Sequence, residues 1–215
     1  VGGVDEAGRG CIIGPLVVAG VSLKERAIKK LIEFGVKDSK VLSPSRRRFL
    51  YDQIVKICEH VVSFHIQPDE IDKYVKRGKK YRKLNYLEAI YMAKIVDKLK
   101  AGRVYIDASD VDPVRFSNNV LESLNFKTSV IAEHHADSIY PVVSAASIIA
   151  KVERDWAIDE LRKRHGDFGS GYPSDPRTID YLSKWVKECE YLPNFSRKSW
   201  KSWNRILLNT VLSYG

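Results

Sequence analysis

The stretch VDEAGRGCIIGPLVVAG, residues 4–20, sets two adjacent acids, Asp5 and Glu6, directly ahead of Gly8-Arg9-Gly10 and then continues as a mostly apolar run. Carboxylates are costly to bury without a partner, so this stretch calls for a cation, a nucleic acid or both. Residues 1–5 and 16–21 read as strands joined by the Gly-rich turn. Their β-branched, closely spaced apolar residues suggest a hairpin in the core of a sheet.

Working outward, Ser43-Pro44 followed by SRRRFLYDQIVKICEH reads as a capped helix. VVSFHIQ reads as a third strand, and Leu84, Leu87, Tyr91, Ile95 and Leu99 mark a long amphipathic helix by their spacing of three or four. RVYIDAS is a short apolar strand ending in Asp107, and KTSVIAEH is another strand. VVSAASIIAKVERDWAIDELRKRH carries small and apolar residues on a helical period, as a long buried helix should. GSGYPSDP is a turn, and the remainder reads as two helices around Pro193-Asn194. A hairpin followed by strand–helix alternation implies an α/β fold with a mixed sheet flanked by helices and a C-terminal helical segment. The expected division is a catalytic domain over residues 1–175 and a helical substrate-binding appendage over 176–215.

The 215 residues carry 36 bases and 27 acids, for a net charge of +9. KYVKRGKKYRK, residues 73–83, holds seven bases and no acid, and residues 196–215 hold four bases and no acid. The other 25 bases meet all 27 acids, so the positive excess sits in these two segments. Tyr74, Tyr81, Trp200 and Trp203 are interleaved with it. Bases neutralise phosphates and aromatic rings stack on sugars or bases, so Lys79, Lys80, Lys198 and Lys201 are candidate nucleic-acid contacts. At a spacing of three, Trp200 and Trp203 also suit the docking of a last helix. Cys11, Cys58 and Cys189 are scattered and odd in number, which argues against a disulfide framework and for a reduced cytoplasm. No apolar run is long enough for a membrane helix, and no signal-peptide pattern opens the chain.

Acids near strand ends are the feature that points to chemistry. Asp5, Glu6, Asp107 and Asp137 come from distant parts of the chain and could meet at one edge of the sheet. Clustered carboxylates repel unless a cation sits between them, and hard oxygen ligands suit Mg²⁺ or Mn²⁺. Two such ions serve phosphodiester cleavage. Each acid also has a plain alternative: Asp5 or Asp137 as a cap, Glu6 as a surface acid, Asp107 as a turn residue beside the competing Asp110 and Asp112. Strand alternation further sets Asp5 and Glu6 on opposite faces unless the strand bends or ends there. His134-His135 has no ligand spacing, Cys11 reads as a packing residue, and no Walker loop is present.

DEAGRG, YIDASD, and HADSIYPVVSAASIIAKVERD followed by GSGYPSDPRT, in that order, resemble ribonuclease HII, most closely the archaeal form. The ordered motifs run from Val4 to about Trp203. The resemblance implies an RNase H-like fold, cleavage of RNA in RNA–DNA hybrids, and incision at single ribonucleotides embedded in duplex DNA, leaving a 5′-phosphate and a 3′-hydroxyl. It makes Asp5, Glu6, Asp107 and Asp137 the metal-binding catalytic acids. Gly8, Arg9 and Gly10 match the ribose-sensing turn, and Tyr172 matches the tyrosine that packs on the sugar beside the scissile bond. Lys40, Ser147 and Lys151 match positions near the substrate backbone. Cys11 stands where proline is usual, and His135 where lysine is common. Ribonuclease HIII shares this fold but usually adds an amino-terminal substrate-binding domain, for which no room is expected ahead of Val4. A non-catalytic nucleic-acid-binding protein accounts for the basic segments but not for the four acids. A monomer is expected, and the terminal LLNTVLSYG contains no clear clamp-binding motif.

Overall fold

A computed structural model of the chain describes residues 1–36, 42–76, 83–124 and 126–212. Its five strands are β1 (Gly2–Ala7), β2 (Leu16–Ser22), β3 (His60–Ile66), β4 (Arg103–Asp107) and β5 (Ser129–Glu133). They form one sheet in the order β3-β2-β1-β4-β5. β1 pairs antiparallel with β2 and parallel with β4, which pairs parallel with β5. The expected mixed sheet and its opening hairpin are therefore present. β1 extends further than expected, to Ala7, so Asp5 and Glu6 lie within the strand and not at its end.

The described helices are α1 (Ile28–Phe34), α2 (Pro44–Ile57), α3 (Pro68–Lys76), α4 (Lys83–Leu99), α5 (Pro113–Leu121), α6 (Ala136–Ile139), α7 (Pro141–His165), α8 (Pro176–Cys189) and α9 (Ser202–Leu212). Ser43 caps α2 by accepting from the Arg46 N–H at 3.2 Å, and Pro44 takes the first helical position. The sequence pattern does not mark α1, α3, α5 and α6. All are nine residues or fewer, too short for apolar periodicity to stand out. No described helix is long and apolar enough to cross a membrane.

The chain divides into two compact units. The first holds residues 1–7, 17–65 and 84–153; the second holds 8–16, 66–83 and 154–215. In the first, β2 is buried along its whole length, as befits a strand covered on both faces. Glycine permits that cover. A Cβ on Gly3 would lie 2.4 Å from the Val142 backbone at the start of α7, and one on Gly20 2.3 Å from Ile95 of α4. One face of the hairpin thus packs on α7 and the other on α4. The second unit has its own apolar cluster, in which Ile12, Ile13, Ile158, Phe168, Leu182, Trp203 and Ile206 are buried. Trp203 is thereby committed to packing and does not present its ring to a base.

Because the Gly3 contact is with backbone, it cannot relax by a rotamer change. Gly3→Ala should destabilise the protein by about 1–3 kcal/mol in urea unfolding, as overpacking does. Gly102→Ala, with nothing within 4 Å of the added carbon, should stay within about 0.5 kcal/mol.

Candidate active site

Gly3 pairs with Tyr105 across the parallel β1/β4 ladder. Asp5 and Asp107 each lie two residues further on, so alternation returns both to the face that Gly3 presents to α7. Asp107 in turn sets the start of α6, because its Oδ1 accepts from the Ala136 N–H at 3.0 Å. His135 precedes that helix in a left-handed conformation with φ of 58°. The resulting turn delivers Asp137. Carboxylate oxygens of Asp5, Asp107 and Asp137 all lie within 4.8 Å of one another. Asp5 and Asp137 are buried.

Glu6 falls outside this set. β1 keeps its alternation through Ala7, so Glu6 takes the opposite direction from Asp5. The competing acids are explained by local structure. Asp112 caps α5 by accepting from the Arg115 N–H at 3.0 Å, and Asp110 is buried against the Arg115 guanidinium.

α7 supplies polar partners to the cluster. The Ser147 hydroxyl hydrogen-bonds Asp5, and Lys151 Nζ donates to Ser147 Oγ at 2.7 Å. Burial, and then the neighbouring charge of Asp107, push the Asp5 carboxyl up to about 7; Ser147 and Lys151 oppose the shift. A cation among the three acids would relieve both causes. An all-oxygen donor set fits Mg²⁺ or Mn²⁺ and gives no thiolate or imidazole for zinc.

The Gly-rich turn belongs to the second unit. Gly8 has φ of 85°, and the Cys11 N–H closes the turn on the Gly8 carbonyl at 3.2 Å. Gly171 O accepts from the Ile12 and Ile13 N–H groups at 2.9 and 3.1 Å, which ties the GSGYPSDP loop to the residues after the turn. That loop is held by Asp175, which accepts from Ser170 N at 2.7 Å and caps α8, and by Thr178, whose Oγ1 accepts from Gly171 N at 3.0 Å. The Tyr172 ring is thereby brought to Gly10, where an added Cβ would meet it at 3.8 Å. Burial, then Cys11, push the Tyr172 phenol up to about 12, so it stays neutral.

Two arginines that sequence reasoning did not single out organise this turn. Arg154 Nη2 donates to Cys11 Sγ at 3.1 Å and to Ser170 O at 2.7 Å, with its guanidinium 5.0 Å from the Tyr172 ring centroid. Arg197 is fully buried and donates to Gly8 O and Arg9 O at 2.7 Å. Its place in a basic stretch reads as exposed charge, and nothing in the composition distinguishes it from Lys198. Lys198 and Lys201 are exposed in the second unit. Lys40, Lys79 and Lys80 lie outside the described residues.

Residues 2–203 match the family model described as Ribonuclease HII. The chain belongs to the ribonuclease HII family. Ribonuclease HII of Pyrococcus furiosus is 46% identical over 208 residues, covering 96% of this chain and 90% of that protein. The crystal structure of ribonuclease H2 from Pyrococcus horikoshii OT3 superposes with a TM-score of 0.89 at 40% identity, covering 98% of both chains. The PCNA:RNase HII complex from Archaeoglobus fulgidus matches with a TM-score of 0.86 at 42% identity, covering 95% of both chains. The fold is therefore the RNase H-like one, and the protein is a hydrolytic nuclease of the ribonuclease H type that cleaves the RNA strand of RNA–DNA hybrids. The family depends on divalent metal ions, which the three-aspartate cluster suits.

In the metal-free protein Asp5 holds its proton more tightly folded, at about 7, than its ordinary value of 3.8. The stability this contributes is complete below the ordinary value and is lost as pH rises through about 7. In EDTA, the Tm of wild type should fall relative to Asp5→Asn between those two pH values. At pH 8, Mg²⁺ should raise the Tm of wild type by more than that of Asp5→Asn.

Proposed function

We propose that this nuclease also incises duplex DNA at a single embedded ribonucleotide, using two divalent ions and leaving a 5′-phosphate and a 3′-hydroxyl. The observation that carries the reading is the convergence of Asp5, Asp107 and Asp137, with Gly8-Arg9-Gly10 following Asp5 and Glu6 along the same chain. Glu6, which leaves β1 in the opposite direction from Asp5, is assigned as a fourth acid that reaches the proposed metal set from beside the three aspartates. When bound, divalent ions supply stabilisation of the charge that builds on the phosphoryl oxygens and promote deprotonation of water.

The chain's own groups do the positioning. Ser147 and the Ala136 N–H orient the Asp5 and Asp107 carboxylates, and Lys151 sets a positive charge beside them for the scissile phosphate. Only the 2′-hydroxyl tells RNA from DNA at a given site, and the small residues of the turn let backbone groups come close to it. Arg9 is assigned a phosphate contact and Tyr172 the adjoining sugar. Lys40, Lys79, Lys80, Lys198 and Lys201 are assigned to the duplex backbone. The protein is read as a monomer. Likeness to the clamp-bound Archaeoglobus fulgidus enzyme makes a sliding clamp the partner class to test.

The test is a labelled DNA duplex with one central ribonucleotide, run with Mg²⁺, Mn²⁺ or EDTA beside an all-DNA duplex. Metal-dependent incision at the ribonucleotide is expected, with no cut in all-DNA. Asp107→Asn should lower the rate at least about a hundredfold, since a metal ligand supports several kcal/mol of transition-state stabilisation. Cleavage of a long hybrid without incision at the single ribonucleotide would move the protein to a ribonuclease HIII-like activity.

Joint replacement of Lys198 and Lys201 by Ala should weaken duplex binding. It should reduce the slope of log affinity against log salt by about one for each phosphate no longer neutralised. An unchanged slope would leave these lysines as solvated surface charge.

A further inference from the structure

Arg197 directs its donor fork at backbone. Nη2 donates to Gly8 O and Nη1 to Arg9 O, both at 2.7 Å, and Nε donates to Gly14 O at 3.2 Å. The Arg197 backbone is tied separately. Its own N–H donates to Ile12 O at 2.8 Å, and its carbonyl accepts from Trp203 Nε1 at 3.1 Å. The Trp200 ring lies 4.9 Å from the guanidinium. Burying a guanidinium carries a large desolvation cost. Chain reversal alone does not call for it, because the Cys11 N–H already closes the turn.

What the arginine adds is orientation. In a trans peptide the C=O and N–H point in opposite directions. Anchoring Gly8 O aims the Arg9 N–H away from Arg197, and anchoring Arg9 O does the same for the Gly10 N–H. We infer that Arg197 is a positioning residue for ribose selection: it fixes the peptide planes on either side of Arg9 so that their N–H edges form the face read against a 2′-oxygen. The inference rests on the proposed reading of the Gly8-Arg9-Gly10 turn. Arginine is required because its rigid planar fork spans several carbonyls at once, whereas a lysine ammonium is a single point charge.

The experiment uses the full chain and the duplex with one embedded ribonucleotide. Wild type is assayed first; failure to incise at the ribonucleotide overturns the underlying reading and this inference with it. With incision established, Arg197→Lys is compared with wild type by single-turnover rate, Mn²⁺ titration and affinity for the all-DNA duplex. Rates are expressed per folded molecule from urea unfolding curves. The expected result is a roughly ten- to hundredfold lower rate, the scale of one or two hydrogen bonds to a charged group. Mn²⁺ binding and all-DNA affinity should stay within about twofold, as for independent sites.

Trp203→Phe removes the bond to the Arg197 carbonyl and keeps the guanidinium. It should lower stability yet retain the wild-type rate per folded molecule. Should Arg197→Lys not fold, Arg197→Gln, which keeps an amide donor, takes its place in the same comparison. A rate equal to wild type per folded molecule would overturn the inference. So would a rate loss matched by equal loss of Mn²⁺ or all-DNA affinity.

Discussion

Like charge held close is the constraint to which the first unit answers. Parallel pairing of β1 with β4 brings Asp5 and Asp107 to one sheet face, and Asp107 then anchors the turn that delivers Asp137. Burial of Asp5, and then the charge of Asp107 beside it, are why Asp5 holds its proton to about 7. Ser147 and Lys151 reduce the repulsion without removing it. A divalent cation among the three acids would complete the compensation.

The sheet can hold this arrangement because its face is open at Gly3. The absence of a side chain there lets the backbone of α7 approach β1 directly. α7 carries Ser147 and Lys151 one helical turn apart, so the close approach also brings the cluster its polar partners. A packing requirement and an electrostatic one are met by the same helix.

In the second unit the organising groups are guanidinium ions directed at backbone carbonyls. Arg154 links Cys11, Ser170 and the face of Tyr172, and Arg197 secures the Gly8-Arg9-Gly10 turn. Glycine makes the turn possible at a φ of 85°, but glycine by itself leaves it loose. Buried donors with fixed geometry restore rigidity to the turn.

Much was legible in local pattern. The hairpin, the capped α2 and the long α7 follow from β-branched runs, a Ser-Pro start and helical periodicity, because these signals lie within a few residues of one another. Asp5, Asp107 and Asp137 could be named from their positions near strand ends and from ordered motifs. Their approach to within 4.8 Å depended on strand pairing between segments about a hundred residues apart, which no spacing records. Local contacts, the Arg115 guanidinium and the α5 cap, account instead for Asp110 and Asp112. Long-range packing also buried Arg197 within a stretch that reads as surface charge. Residue chemistry and local periodicity therefore determined which groups this protein has available. Tertiary structure decided which of them face one another, since burial and register are properties of the folded chain and not of its order.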